Sequence, residues 1–348
     1  MADLKQFIEN YSGKPLRIME VCGTHTHEIF RLGLRRILPP QVTLISGPGC
    51  PVCVTPCGYI DEALCLALEH NAVICTFGDL IRVPGSDMSL AGARARGATI
   101  RPVYSPMDAV QLAQDDPDHH YVFLAVGFET TVPGACLAVK HAAKLQLHNF
   151  SILGSNKTMP NAYKALLGSA DAFLYPGHVH TITGTALCEQ MRDEYGVSGV
   201  VAGFTAPELL LAIATVLELS AEGKPFFRNC YPRVVRPEGN PVAIRIIDEV
   251  MEPCDAEWRG LGNIPGSGLT LRPQFDEFDA RKRFNLPVIK GRPNPACRCG
   301  TVLQGKCLPS DCPLFGKVCT PLHPIGACMV SNEGACSAFY QYGDFNRD

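Results

Sequence analysis

Charge is what this chain has least of. Charged residues make up 19% of its 348 residues and the formal net charge is −3, so no broad field draws in nucleic acid or an anionic lipid surface. Long apolar runs are missing as well. The longest, 209–217 (LLLAIATVL), is flanked by Glu208 and Glu218 and is far too short to span a bilayer. The opening residues, MADLKQFIENY, lack the basic start and apolar centre of a secretory signal. These absences predict a soluble, cytoplasmic chain with no nucleic-acid or membrane partner.

Cysteine, by contrast, is abundant. There are seventeen, seven of them from Cys297 to Cys336. A secreted disulfide scaffold is usually short, with cysteines throughout; a cluster at one end of a long chain in a reducing compartment points to metal or redox chemistry. Cys65, Cys75, Cys136 and Cys188 fall inside apolar helix or strand patterns, where a thiol serves as a small buried hydrophobe. Cys230 and Cys254 sit in loops and carry no assignment.

From residue 15 to about 203 the chain alternates short apolar runs with helical stretches. Strands are predicted at 16–21, 42–46, 72–76, 99–103, 121–126, 151–153, 172–174 and 199–202, with helices such as 59–70, 134–145 and 183–195 between them. Continuous apolar strands separated by helices mark parallel sheets covered on both faces. The Asp-Asp-Pro-Asp turn at 115–118 divides them, so the expectation is an α/β lobe at 15–118, a second at 119–220, and a C-terminal cysteine-rich domain at 221–348. The third is expected to need a metal or disulfides to compensate for a thin core.

The unusual residues fall at strand ends, where open α/β sheets bind ligands. Cys22, His25 and His27 follow the first strand in CGTHTH (22–27). Cys50 and Cys53 follow the second in GPGCPVC (47–53), Asp79 the third, and Glu129 the fifth in GFETT (127–131). His178 follows the strand at 172–174, and GFTAPE (203–208) follows the last. A Cys-x-x-C at a strand-to-helix junction places a thiol near a helix N-terminus, which favours thiolate. Taken alone the pair reads as a redox dithiol, as half of a metal site, or as neither. Cys22 tips the balance towards a soft metal site for low-valent iron, copper or zinc. His25 and His27 are two apart, so only one of them joins this crevice easily. Asp79, Glu129 and His178 are candidates for handling protons or orienting ligands, against the plainer role of caps and turn residues. GFETT matches no phosphate-loop spacing.

The tail carries Cys297, Cys299, Cys307, Cys312, Cys319, Cys328 and Cys336. It lacks the two C-x₂-C knuckles of a zinc ribbon, and four thiolates are the usual complement of an iron–sulfur cube. A [4Fe–4S] cluster is therefore preferred over structural zinc.

Together these motifs, with PGHVHTITG (176–184) and CPLFGKVCTPLHPIGACMVSNEGAC (312–336), resemble the HypD family of hydrogenase maturation factors over essentially the whole length. The resemblance implies two α/β lobes and a C-terminal domain with a [4Fe–4S] cluster. It also implies a part in building the Fe(CN)₂CO unit of [NiFe] hydrogenases, in complex with the small chaperone HypC and with cyanide delivered by HypE. The family's C-x₁₄-C-x₆-C-x₁₆-C spacing falls on Cys297, Cys312, Cys319 and Cys336. Cys299 and Cys328 are left as a second dithiol present in some members, and Cys307 has no family role. By the same resemblance Cys22, Cys50 and Cys53 serve the nascent iron, with His25, Asp79, Glu129 and His178 around it. The competing expectation is an iron–sulfur thiol–disulfide oxidoreductase resembling ferredoxin–thioredoxin reductase; a third is a zinc-stapled binding module.

Overall fold

The computed structural model describes residues 2–343. Eight of its strands are those the apolar runs predict. β1 (Leu16–Glu20), β2 (Val42–Ser46), β3 (Val73–Thr76), β4 (Ile100–Pro102), β5 (Tyr121–Gly127), β6 (Phe150–Asn156), β7 (Ala172–Pro176) and β8 (Ser198–Ala202) are joined by a short β9 (Phe227–Asn229). All pair in parallel. β5 is buried at every position, as a strand covered on both faces requires.

The division between lobes is not the one expected from the turn at 115–118. One sheet has the order β2-β1-β7-β8-β9 and the other β4-β3-β5-β6. Strands β3 and β4, placed in the first lobe from sequence, belong instead to the sheet of β5, with β3 pairing between β4 and β5. The first sheet is then completed by β7, whose Ala172 pairs with Ile18. Adjacency in sequence suggested otherwise because apolar runs carry no information about partner choice; topology decides it.

Local signals place several helices. Ser105 and Asp108 form a capping box before the helix Pro106–Asp115, and Thr205 and Glu208 form another before Ala206–Ser220. The run 209–217 lies in that second helix and is largely buried against the first sheet. Among the described residues no helix is long and apolar enough to cross a membrane.

The region after 221 is more regular than its composition suggested. It holds a helix, Pro241–Val250, followed by an antiparallel pair, β10 (Met251–Trp258) and β11 (Gly262–Leu271). A register shift between Cys254 and Ala256 interrupts the pair, and isolated bridges join it and the following turn to β6. The cysteine-rich tail builds no core of its own. Cys299, Cys312, Cys319, Cys328 and Cys336 share one buried cluster with Met19, Cys50, Cys53, Tyr163 and Trp258. Of the four cysteines expected to be plain hydrophobes, Cys75, Cys136 and Cys188 are buried and Cys65 is partly exposed.

Candidate functional site

Because β2, β1, β7 and β8 are neighbours in one parallel sheet, the turns at their carboxyl ends stand side by side. Cys22 ends β1 and precedes the helix Gly23–Arg31. Cys50 follows β2 and caps the short helix Pro51–Val54, its Sγ accepting from the Cys53 amide at 3.4 Å. The two turns cross in backbone contact: the Gly23 amide donates to the Gly49 carbonyl at 2.9 Å. A Cβ on Gly49 would stand 2.1 Å from the Cys22 nitrogen. Glycine at 49 is what lets Cys22 approach Cys50.

All three thiols are buried. Burial pushes Cys22 up to about 12, with Glu333 adding to the rise. It pushes Cys53 well above its ordinary value too, helped by Cys50 and then by Cys328 and Cys299. A helix-terminus thiolate is not what the structure gives at Cys53. A helix of four residues has too small a dipole to offset full burial. Cys22 and Cys53 are neutral thiols that a soft cation would convert to thiolates on binding.

His25 is the histidine that joins this mouth. It is wholly buried and donates from Nε2 to the Gly203 carbonyl at 3.0 Å, leaving Nδ1 without a partner among the described residues. Burial lowers its pKa to about 4, so it is a neutral imidazole. Phe204 lies between His25 (centroids 4.9 Å apart) and His178 (3.8 Å, stacked). His27 faces the tail, at 3.0 Å from the Asn332 carbonyl.

Glu129 arrives from the other sheet, beside Phe128, which packs in the same core as Cys50 and Cys53. Its Oε1 accepts from the Met159 amide at 2.8 Å, and Oε2 is buried without a partner among the described residues. Burial raises its pKa to about 7. Asp79 stands apart: it is exposed in the 3₁₀ turn after β3 and has no hydrogen-bond or ion-pair partner among the described residues. The structure thus brings Cys22, Cys50, Cys53, His25 and His178 to one sheet end, sets Glu129 behind them, and leaves Asp79 outside.

The tail closes over this mouth. Thr24 donates to Glu333 at 2.6 Å. The Cys328 thiol donates to Cys336 at 3.0 Å. Cys297 is held well above its ordinary pKa, first by its contact with Cys299 and then by burial. Cys319 feels Cys297 and Cys312, and Cys336 feels Cys299, Cys297 and Cys319. The Ile325 amide points at the Cys319 sulfur from 3.3 Å. Cys299 and Cys328 lie between this set and Cys53. Cys307 is half-buried in a groove beside Arg35 and Asp311, packed against the edge of the same core. Four adjacent soft donors with an amide aimed at one of them suit an iron–sulfur group. Among the described residues no three ligating side chains close on a common point, so the fit lies in donor type and proximity.

Comparison with known proteins decides the family. The HypD family model, described as "Hydrogenase formation hypA family", matches residues 1–343. The chain belongs to the HypD family. It is 45% identical to hydrogenase maturation factor HypD2 of Bradyrhizobium diazoefficiens over 95% of this chain and 90% of that protein. To HypD of Escherichia coli it is 44% identical, with 94% and 90% covered. To a putative hydrogenase expression/formation protein of Methanocaldococcus jannaschii it is 43% identical, with 94% and 92% covered. Like these HypD relatives, the chain is a hydrogenase maturation factor.

Two residues at this HypD-family site carried no signal in the sequence. Glu333 reaches Thr24 in the first turn of the helix Gly23–Arg31 across 309 positions, a contact no spacing rule encodes. Phe204 was visible as part of GFTAPE, yet its place between two histidines depends on β1, β7 and β8 being neighbours.

Proposed function

We propose that this maturation factor is the scaffold on which the Fe(CN)₂CO unit of [NiFe] hydrogenases is assembled, in complex with a HypC-type chaperone and with cyanide supplied by HypE. The observation that carries this is the crossing of the Cys22 and Cys50 turns, which gathers three buried thiols in one mouth. Iron bearing cyanide and CO is soft and electron-rich, and thiolates are the donors it accepts. That iron is cargo, held through Cys22, Cys50 and Cys53. His25, neutral and fixed by Gly203, offers its Nδ1. Glu129, with its pKa near 7, holds or releases a proton in the working range.

Freeing cyanide from a thiocyanate consumes two electrons, which a dithiol yields on becoming a disulfide. Cys297, Cys312, Cys319 and Cys336 would hold a [4Fe–4S] cluster, which when bound supplies one-electron chemistry. Cys299 and Cys328 stand between that set and Cys53, where a second dithiol would connect them. A thiol–disulfide oxidoreductase would need the tail and the Cys-x-x-C but not Cys22, whose burial against Gly49 favours the scaffold.

The test is infrared spectroscopy of the anaerobically purified complex with the chaperone. Cys50→Ala and Cys53→Ala should leave the protein folded and brown yet without cyanide and CO bands. A double variant that keeps those bands places the iron elsewhere.

A further inference from the structure

A slot of about 240 Å³ lies beyond the helix that carries Cys53, bounded by β6, the β10–β11 pair and Pro56–Tyr59. β6 is an outer strand of its sheet. Bridges to Asp279 at Ile152 and to Gly268 at Lys157 cover its two ends. Between them there is room beside the strand: a Cβ on Gly154 would meet nothing within 4 Å.

Two buried polar groups line this slot, and neither belongs to the thiol mouth. Lys157 is 3% exposed. Its hydrogen bond among the described residues, to Ser155 Oγ, is long at 3.4 Å, and its Nζ lies 5.7 Å from the centre of the Trp258 ring. Asn156 is 2% exposed, and neither its Nδ2 nor its Oδ1 has a partner among the described residues. Arg281, the other cation in the lining, is committed to Glu62 at 2.7 Å and to the Gly154 carbonyl at 2.8 Å. Buried ammonium and amide groups are rarely left so poorly matched without a ligand or ion to complete them. Burial also lowers the Lys157 pKa to about 8, a fall that nearby Glu257 only partly offsets.

The rest of the lining narrows the class. Asp255 and Glu257 are exposed and oppose entry of a multiply charged anion, while Ile152 and Leu269 supply apolar wall. We propose that the slot binds a small monocarboxylate, which accepts hydrogen bonds from Lys157 Nζ and Asn156 Nδ2 and rests its short apolar end on Ile152 and Leu269. The site is independent of the thiol mouth and does not require the assembly role.

Calorimetric titration of the whole chain with sodium acetate, sodium butyrate and inorganic phosphate tests it. Acetate or butyrate should bind one site per chain, and phosphate should not saturate. Lys157→Met keeps the stem without the charge, and Asn156→Asp is nearly isosteric but repels an anion. Each should weaken carboxylate binding about tenfold or more. Lys282→Met, at a surface lysine paired with Asp276, should leave it unchanged. No saturable carboxylate binding to the wild type overturns the proposal. So does binding that survives Asn156→Asp or Lys157→Met unchanged, and so does saturation by phosphate alone.

Discussion

Gly49→Ala puts the crossing of the two turns to the test. The added Cβ would stand 2.1 Å from the nitrogen, 2.2 Å from the Cα and 2.5 Å from the carbonyl carbon of Cys22. All three are backbone atoms, so no rotamer change relieves the clash. Carbon atoms rest at about 3.5–4.0 Å, and the turns must therefore part by more than about 1 Å. That separation breaks the Gly23 to Gly49 hydrogen bond. Overpacking of this kind costs about 1–3 kcal/mol, and the lost bond adds about 1 kcal/mol. At roughly 1.4 °C per kcal/mol for a chain of 348 residues, the melting temperature should fall by about 3–6 °C. Because Cys22 and Cys50 move apart with their turns, the cyanide and CO bands of the partner complex should weaken together with the melt. Gly78→Ala is the control: its Cβ meets nothing within 4 Å, and the change should stay within about 0.5 kcal/mol. Calorimetry and infrared spectra on the same anaerobic samples give both readouts. A Gly49→Ala protein that melts with the wild type and keeps full bands would show that this crossing does not position the thiols.

Cys312→Ser should lose iron and visible absorbance, whereas Cys307→Ser, outside the proposed four and half-exposed in its groove, should keep both; iron analysis with zinc measured alongside checks this, and the reverse result means the wrong four cysteines. Glu129 titrates near 7 in the folded chain and near 4.3 when unfolded (about the free-glutamate value). Between those values the folded state holds a proton that the unfolded state has released, so its stabilising contribution is full below about pH 4 and is lost as pH rises through about 7. Glu129→Gln keeps the bond from Met159 and removes that slope. Relative to wild type it should gain stability at pH 8, on the order of 3 kcal/mol. Urea melts at pH 4 and pH 8 decide it, and an equal pH dependence in both proteins refutes it.

Sequence and structure agree where the physics is local. Apolar runs such as 121–126 and 172–174 became strands. The gathering of Cys22, Cys50, Cys53, His25 and His178 was legible because each follows a parallel strand, and carboxyl ends of such strands share one edge. Asp79 obeyed the same rule and still stands apart, because β3 belongs to the other sheet. Which strands share a sheet is settled by long-range packing that apolar periodicity does not record. Cys53 shows a second limit. Its spacing announced a helix terminus, yet burial against the tail cysteines governs its protonation. The β10–β11 pair was hidden by glycines and prolines, as in GNIPGSG, which read as loop, although β11 spans ten residues.

The interleaving of the two sheets bears on how the chain is made. β3 to β6 follow one another in sequence, so their sheet can close as soon as Asn156 has left the ribosome. β1 and β2 emerge earlier but lack the neighbour that holds β1 on its other side, since Ile18 pairs with Ala172. A parallel partner that distant imposes a high contact order and a slow closure. During synthesis the turns bearing Cys22 and Cys50 therefore hang from an unfinished sheet, and Glu333 has yet to be made. The mouth that gathers three thiols is completed only when nearly the whole polypeptide exists, so a truncated nascent chain presents no finished trap for stray metal.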